Sequence, residues 1–123
     1  MSELEKRAKP EKMSRPIYVY PIPKSLANGT TSIGLVELTA SEELMATKRA
    51  GQDAFKLAYE LAKQSLVEVN EQPVGLADGS VDKAFNEMGA KLRNLVLTAY
   101  AKLHAPNEED SADFLRGGTV RVS

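Results

Sequence analysis

The stretch Lys91-Leu92-Arg93-Asn94-Leu95-Val96-Leu97-Thr98-Ala99-Tyr100-Ala101-Lys102-Leu103 decides how the rest of the chain can be arranged. Leu92, Leu95, Val96, Ala99 and Leu103 recur at helical spacing and draw one apolar stripe. Leu97, Tyr100 and Ala101 widen it, while Lys91, Arg93, Asn94, Thr98 and Lys102 lie mostly off it. A helix apolar over so much of its circumference belongs at the centre of a domain, covered from more than one side. Leu95, Val96 and Ala99 are therefore expected to be almost fully buried. Leu97 and Tyr100, at the margin of the stripe, are the place to look for a partner surface.

Working outward, Tyr59, Ala62 and Leu66 continue a second helical stripe that begins at Phe55, with Asp53 as its N-cap and Gly51 as the break before it. An earlier helix starts at about Ala40, because Thr39-Ala40-Ser41-Glu42 has the spacing of a capping box. After the central helix, Ala90 to His104, the acidic run Glu108-Glu109-Asp110 suits a helix N-terminus. That last helix is expected to reach Arg116, bury Phe114 and Leu115, and stop at Gly117-Gly118. Ser80 reads as the N-cap of a short helix through Met88.

The β signals lie mostly at the other end. Pro16 to Pro23 hems Ile17 to Tyr20 between prolines, which cannot donate to a ladder, so this predicts a short edge strand. Asn28-Gly29 predicts a turn and Ser32 to Leu38 the antiparallel partner. Val67 to Val74 turns at Asn70-Glu71 and predicts a small hairpin or extended loop, and Thr119 to Val122 a closing strand. The expected fold class is α+β: a two-stranded β segment on a bundle of four to five helices, with a short hairpin and a C-terminal strand. One domain is expected over 16–123, after a charged arm over 1–15 that is either a solvated tail or a segment that orders on a partner.

Composition narrows the function. The 123 residues carry a net charge of -1 and are 42% apolar and 27% charged, ordinary globular usage without a chain-wide cationic field. The absence of cysteine removes disulfides, thiolate nucleophiles and cysteine-containing zinc sites. The first residues lack the apolar core of a secretory signal, and no run approaches the roughly 20 apolar residues of a membrane span. A soluble, cytoplasmic protein is expected.

No catalytic pattern is visible. His104 is the only histidine, it lacks a recognisable nucleophile or orienting acid, and it sits where a helix dipole favours a cation. A structural role is expected for it. Glu108, Glu109, Asp110 and Asp113 could gather around a cation, but a solvated acidic helix start accounts for them. Lys48, Arg49, Lys56 and Lys63, or Lys91, Arg93 and Lys102, could form a basic face for nucleic acid, diluted by acids such as Glu60. No enzyme activity, cofactor or metal is expected.

The Pro-bounded strand at Ile17 to Tyr20, Asn28-Gly29, the strand Ser32 to Leu38 and the run Leu38-Thr39-Ala40-Ser41-Glu42-Glu43-Leu44 together resemble the opening of tail assembly chaperones from tailed bacteriophages. Tyr59 to Val69, Leu95 to Tyr100, Phe114-Leu115 and Val120-Arg121-Val122 are similar in kind to small phage morphogenesis proteins. The likeness spans about 15–122 and is one of pattern; the basic arm before Arg15 departs from it. It implies a non-enzymatic chaperone in the host cytoplasm that binds the tape-measure protein and aids tail-tube assembly, with reversible self-association. Candidate partner-binding residues are Arg15, Ile17, Tyr18, Val19, Tyr20, Leu97 and Tyr100. The alternatives are a virion structural or adaptor protein that binds neighbouring subunits through its arm and edge strand, and a nucleic-acid-associated regulator.

Overall fold

The computed structural model describes residues 14–27 and 29–121. The expected arm, apart from Ser14 and Arg15, lies outside them, as do Asn28 of the first turn and Val122. The described residues form an α+β fold with four strands, β1 (Tyr18–Pro21), β2 (Ser32–Leu35), β3 (Leu66–Val69) and β4 (Gln72–Pro73). Five α-helices accompany them: α1 (Ala40–Ala50), α2 (Ala54–Ser65), α3 (Ser80–Glu87), α4 (Ala90–His104) and α5 (Glu108–Arg116).

The two expected β pieces are one sheet. All neighbours are antiparallel in the order β1-β2-β3-β4, so the hairpin over Val67 to Val74 adds directly to β2. Tyr20, Ile33 and Val69 align across three strands on the core side. Gly34 sits between them on the opposite face, where a Cβ would lie 3.0 Å from Ile17 Cγ2 and 3.1 Å from Glu68 Cβ. Only glycine leaves those two side chains room to close over the strand.

Helix boundaries follow the local chemistry. The Thr39 hydroxyl accepts from the Glu42 amide, and Glu42 Oε1 accepts from the Thr39 amide at 2.9 Å. Gly51 ends α1 at a φ of 65°, and the Asp53 carboxylate accepts from the Phe55 and Lys56 amides to start α2. Ser80 is one residue inside α3, not its cap. Its hydroxyl accepts from the Gly75 amide and donates to Asp78 Oδ1, tying the preceding turn.

The central cluster joins Ile33, Leu35, Ala62, Leu66, Val81, Phe85, Met88, Leu92 and Val96. Val96 of α4 is fully buried, as its stripe requires, and Ala99 is half-buried against the cluster. Leu95 is 37% exposed, because the core covers α4 on the side of Leu92 and Val96 and leaves its flank open. Phe55 is also a correction: at 85% exposed it continues the α2 stripe one turn past the end of the core. Phe114 and Leu115 were expected inside, yet they are 80% and 74% exposed, since no residue of α5 is buried. Thr119 to Arg121 form no strand, for no sheet edge receives them.

Candidate protein-binding surface

The seven residues singled out from sequence are only partly brought together. Arg15 is occupied within the chain: Nη1 and Nη2 donate to Glu42 Oε1 and Oε2 at 2.6 and 3.0 Å, and Nη1 also donates to the Glu37 carbonyl at 2.7 Å. A bidentate arginine–carboxylate fork of this kind clamps the segment just before β1 to the first turn of α1. Ile17 is half-buried over Gly34, whereas Tyr18 and Val19 are exposed. Tyr20, Leu97 and Tyr100 pack against the core, so the broad apolar face of α4 is largely covered. Burial, and then the charge of Glu43, push the Tyr100 hydroxyl above its ordinary pKa.

Tyr18 and Tyr20 point to the same side of β1 and line a cleft of about 600 Å³ with Glu37, Leu103, His104 and Pro106. The cleft lies where the edge strand meets the end of α4 and the entry to α5. His104 on its wall is a structural tie. Its Nε2 accepts the Leu38 amide at 2.9 Å, and Nδ1 lies 2.9 Å from the Tyr100 carbonyl. With Nε2 accepting, the neutral ring carries its proton on Nδ1 and donates to that carbonyl. Both nitrogens are thereby engaged, and the ring stacks on Tyr100 with centroids 4.1 Å apart.

The strand edges are poorly suited to pairing with another chain. The Ile22 amide donates to the Thr31 carbonyl, so alternate residues of β1 face β2 and Pro21 falls on an outward position. On the far edge the Val74 amide donates to the Val67 carbonyl, which turns Pro73 outward in the same way. Proline offers no N–H, and both edges are blunted.

A second cleft, of about 500 Å³, lies between the β1–β2 loop and the start of α4 and is lined by Leu26, Thr30, Val69, Asn70, Met88 and Lys91. Asn70, which sequence reading treated only as a turn residue, organises it. Its Oδ1 accepts the Thr31 amide at 2.6 Å, and its Nδ2 donates to the Gly29 carbonyl at 2.8 Å. These bonds hold Asn70 and Glu71 at φ values of 54° and 66°, as a two-residue hairpin turn demands.

Apolar side chains outside the core are the chemistry that stands out. Leu44, Met45, Phe55, Phe114, Leu115 and Val120 are all more than half exposed. Phe55 and Phe114 were missed because a stripe in sequence marks an apolar face without showing what lies against it. Among the described residues no group of three His, Asp or Glu side chains could hold a metal ion, and no helix is long and apolar enough to cross a membrane. Comparisons with protein-family models, with curated proteins and with solved structures found no match.

Proposed function

We propose that this chain works by binding other proteins, as a non-enzymatic tail assembly chaperone that engages the tape-measure protein and assists tail-tube assembly. The observation that carries the reading is the set of large apolar side chains, above all Phe55, Phe114 and Leu115, held outside a well-packed core. Single exposed apolar residues are ordinary on a monomer, whereas two adjacent ones on a helix with no buried residue, Phe114 and Leu115, suit an interaction surface. The engagement of both His104 nitrogens in backbone bonds also favours binding over catalysis, because neither is free to move a proton. The sequence resemblance supplies the identity of the partner.

The rival reading, a virion subunit locked to its neighbours by arm and edge strand, draws less support. Arg15 is spent on Glu42, and the β1 edge turns Pro21 outward. Co-expression with the tape-measure and tube proteins separates the two. A chaperone keeps the tape-measure protein soluble, co-purifies with it and is lost from finished particles. Retention in purified particles would favour the structural subunit, and failure to hold any tail protein would end the chaperone reading.

A further inference from the structure

We propose that α5 is a docking helix that lodges in an apolar slot with a basic rim on another protein. This deepens the protein-binding reading and rests on it, by naming the element and the chemistry of its partner. The helix has 9 residues and none is buried. Among the described residues, α5 makes no side-chain hydrogen bond, ion pair or ring contact with another helix or strand; the Arg116–Asp113 pair, at 2.9 Å, is internal. Helices below roughly 12–15 residues are marginal in water without something packed on them.

Yet the local sequence prepares this helix at both ends. Asn107 Oδ1 accepts the Asp110 amide at 2.7 Å, three acids occupy the first turn, and Arg116 sits in the last. Pro106 before it and Gly117-Gly118 after it set it apart from its neighbours in the chain. Among the described residues, none covers Phe114 and Leu115. A helix encoded locally and left without tertiary support is the form of a segment that completes its folding on a partner.

Charge selects the partner. Glu108, Glu109, Asp110 and Asp113 share this 9-residue helix with the two apolar side chains, and its one cation, Arg116, is paired to Asp113. The complement is a slot bordered by Lys or Arg. A second copy fits less well, because the cleft beside α5 is lined by Glu37 and Asp110 against the single cation Lys102. Leu44, Met45 and Phe55 are exposed and line neither of these clefts.

The chain contains no tryptophan, so Phe114→Trp in the full chain installs a sole indole reporter, and Phe55→Trp a control at another exposed aromatic. The probe is a synthetic amphipathic helix of roughly 18 residues, long enough to hold its shape, with Leu on one face and Lys on its flanks. A twin carries Glu in place of Lys. The Lys peptide is expected to shift the Phe114→Trp emission to shorter wavelength and shield it from quencher, with no change at Phe55→Trp. Leu115→Asp should weaken the response about tenfold or more, and added salt should weaken it further. No response, an equal response to the Glu twin, or a concentration-dependent shift without peptide would each overturn the proposal, the last by showing a second copy as occupant. Co-purification with the tape-measure protein separates failures: retention by the full chain carrying Phe114→Asp and Leu115→Asp removes α5 as the dock but leaves the chaperone reading, whereas failure of the unaltered chain to hold it removes the chaperone reading, with the peptide response then judging α5 alone.

Discussion

Helices α2 and α5 are written in the same local language and end in opposite situations. Each opens on a side chain that accepts amide protons, Asp53 for α2 and Asn107 for α5, and each carries an apolar stripe. In α2 the stripe leads to buried Ala62 and then to Leu66, and its polar side is also covered. Arg49 Nε donates to Glu60 Oε2 at 2.8 Å, Arg49 Nη2 to Gln64 Oε1 at 2.6 Å, and Lys63 reaches Asp82 at 3.1 Å. Those contacts tie α2 to α1 and α3. In α5 the ion pair among the described residues is local, and both large apolar side chains are exposed. Amphipathicity therefore states which face wants cover and says nothing about who provides it.

The strongest way to break this contrast is the same substitution on both sides of it. Leu66→Ala, at a position 1% exposed, should cost about 2–5 kcal/mol in urea unfolding through lost transfer energy and a cavity. Leu115→Ala should stay within about 0.5 kcal/mol of the parent. Equal costs would mean that α5 is packed in solution.

A charged pair of substitutions sharpens it. Glu60→Ala strips Arg49 and Lys63 of a buried partner and should cost about 2 kcal/mol, below the full buried-pair range because Arg49 still reaches solvent. Asp113→Ala breaks an exposed pair and should change unfolding by no more than about 0.5 kcal/mol. Next in size is His104→Ala, which leaves the Leu38 amide without its acceptor. A loss of about 1–2 kcal/mol is expected, together with faster hydrogen exchange at Leu38.

The smallest effect concerns alkaline pH. The Tyr100 hydroxyl is raised above its ordinary 10.0 by burial and by Glu43, so the folded state favours the neutral phenol. Its contribution is complete below that value and is lost as pH rises through the folded-state value. Tyr100→Phe should lose less stability than the parent between neutral pH and about pH 11. An identical pH dependence in the two chains would place Tyr100 in solvent.

Much of the skeleton was legible because it rests on contacts a few residues apart. Thr39 with Glu42, Asp53 with the amides after it, Gly51 at the break and Asn70-Glu71 at the hairpin turn all act within one turn of chain. The candidate surface was less legible, since exposure depends on residues distant in sequence. Tyr18 and Val19 were found on an edge strand as expected, whereas Leu97 and Tyr100 are packed in and Phe55, Phe114 and Leu115 are out.

By itself, then, the sequence determined where helices and turns begin and end, which faces are apolar, and that cysteine chemistry is absent. Only tertiary structure decided that β2 and β3 join two hairpins into one sheet, with Ser65 Oγ donating to the Val36 carbonyl and Asn70 reaching back to Gly29. Tertiary structure also decided that α2 has buried residues and α5 has none. The reason is physical: caps and turns satisfy backbone groups locally, while burial is shared between segments that the chain must first bring together.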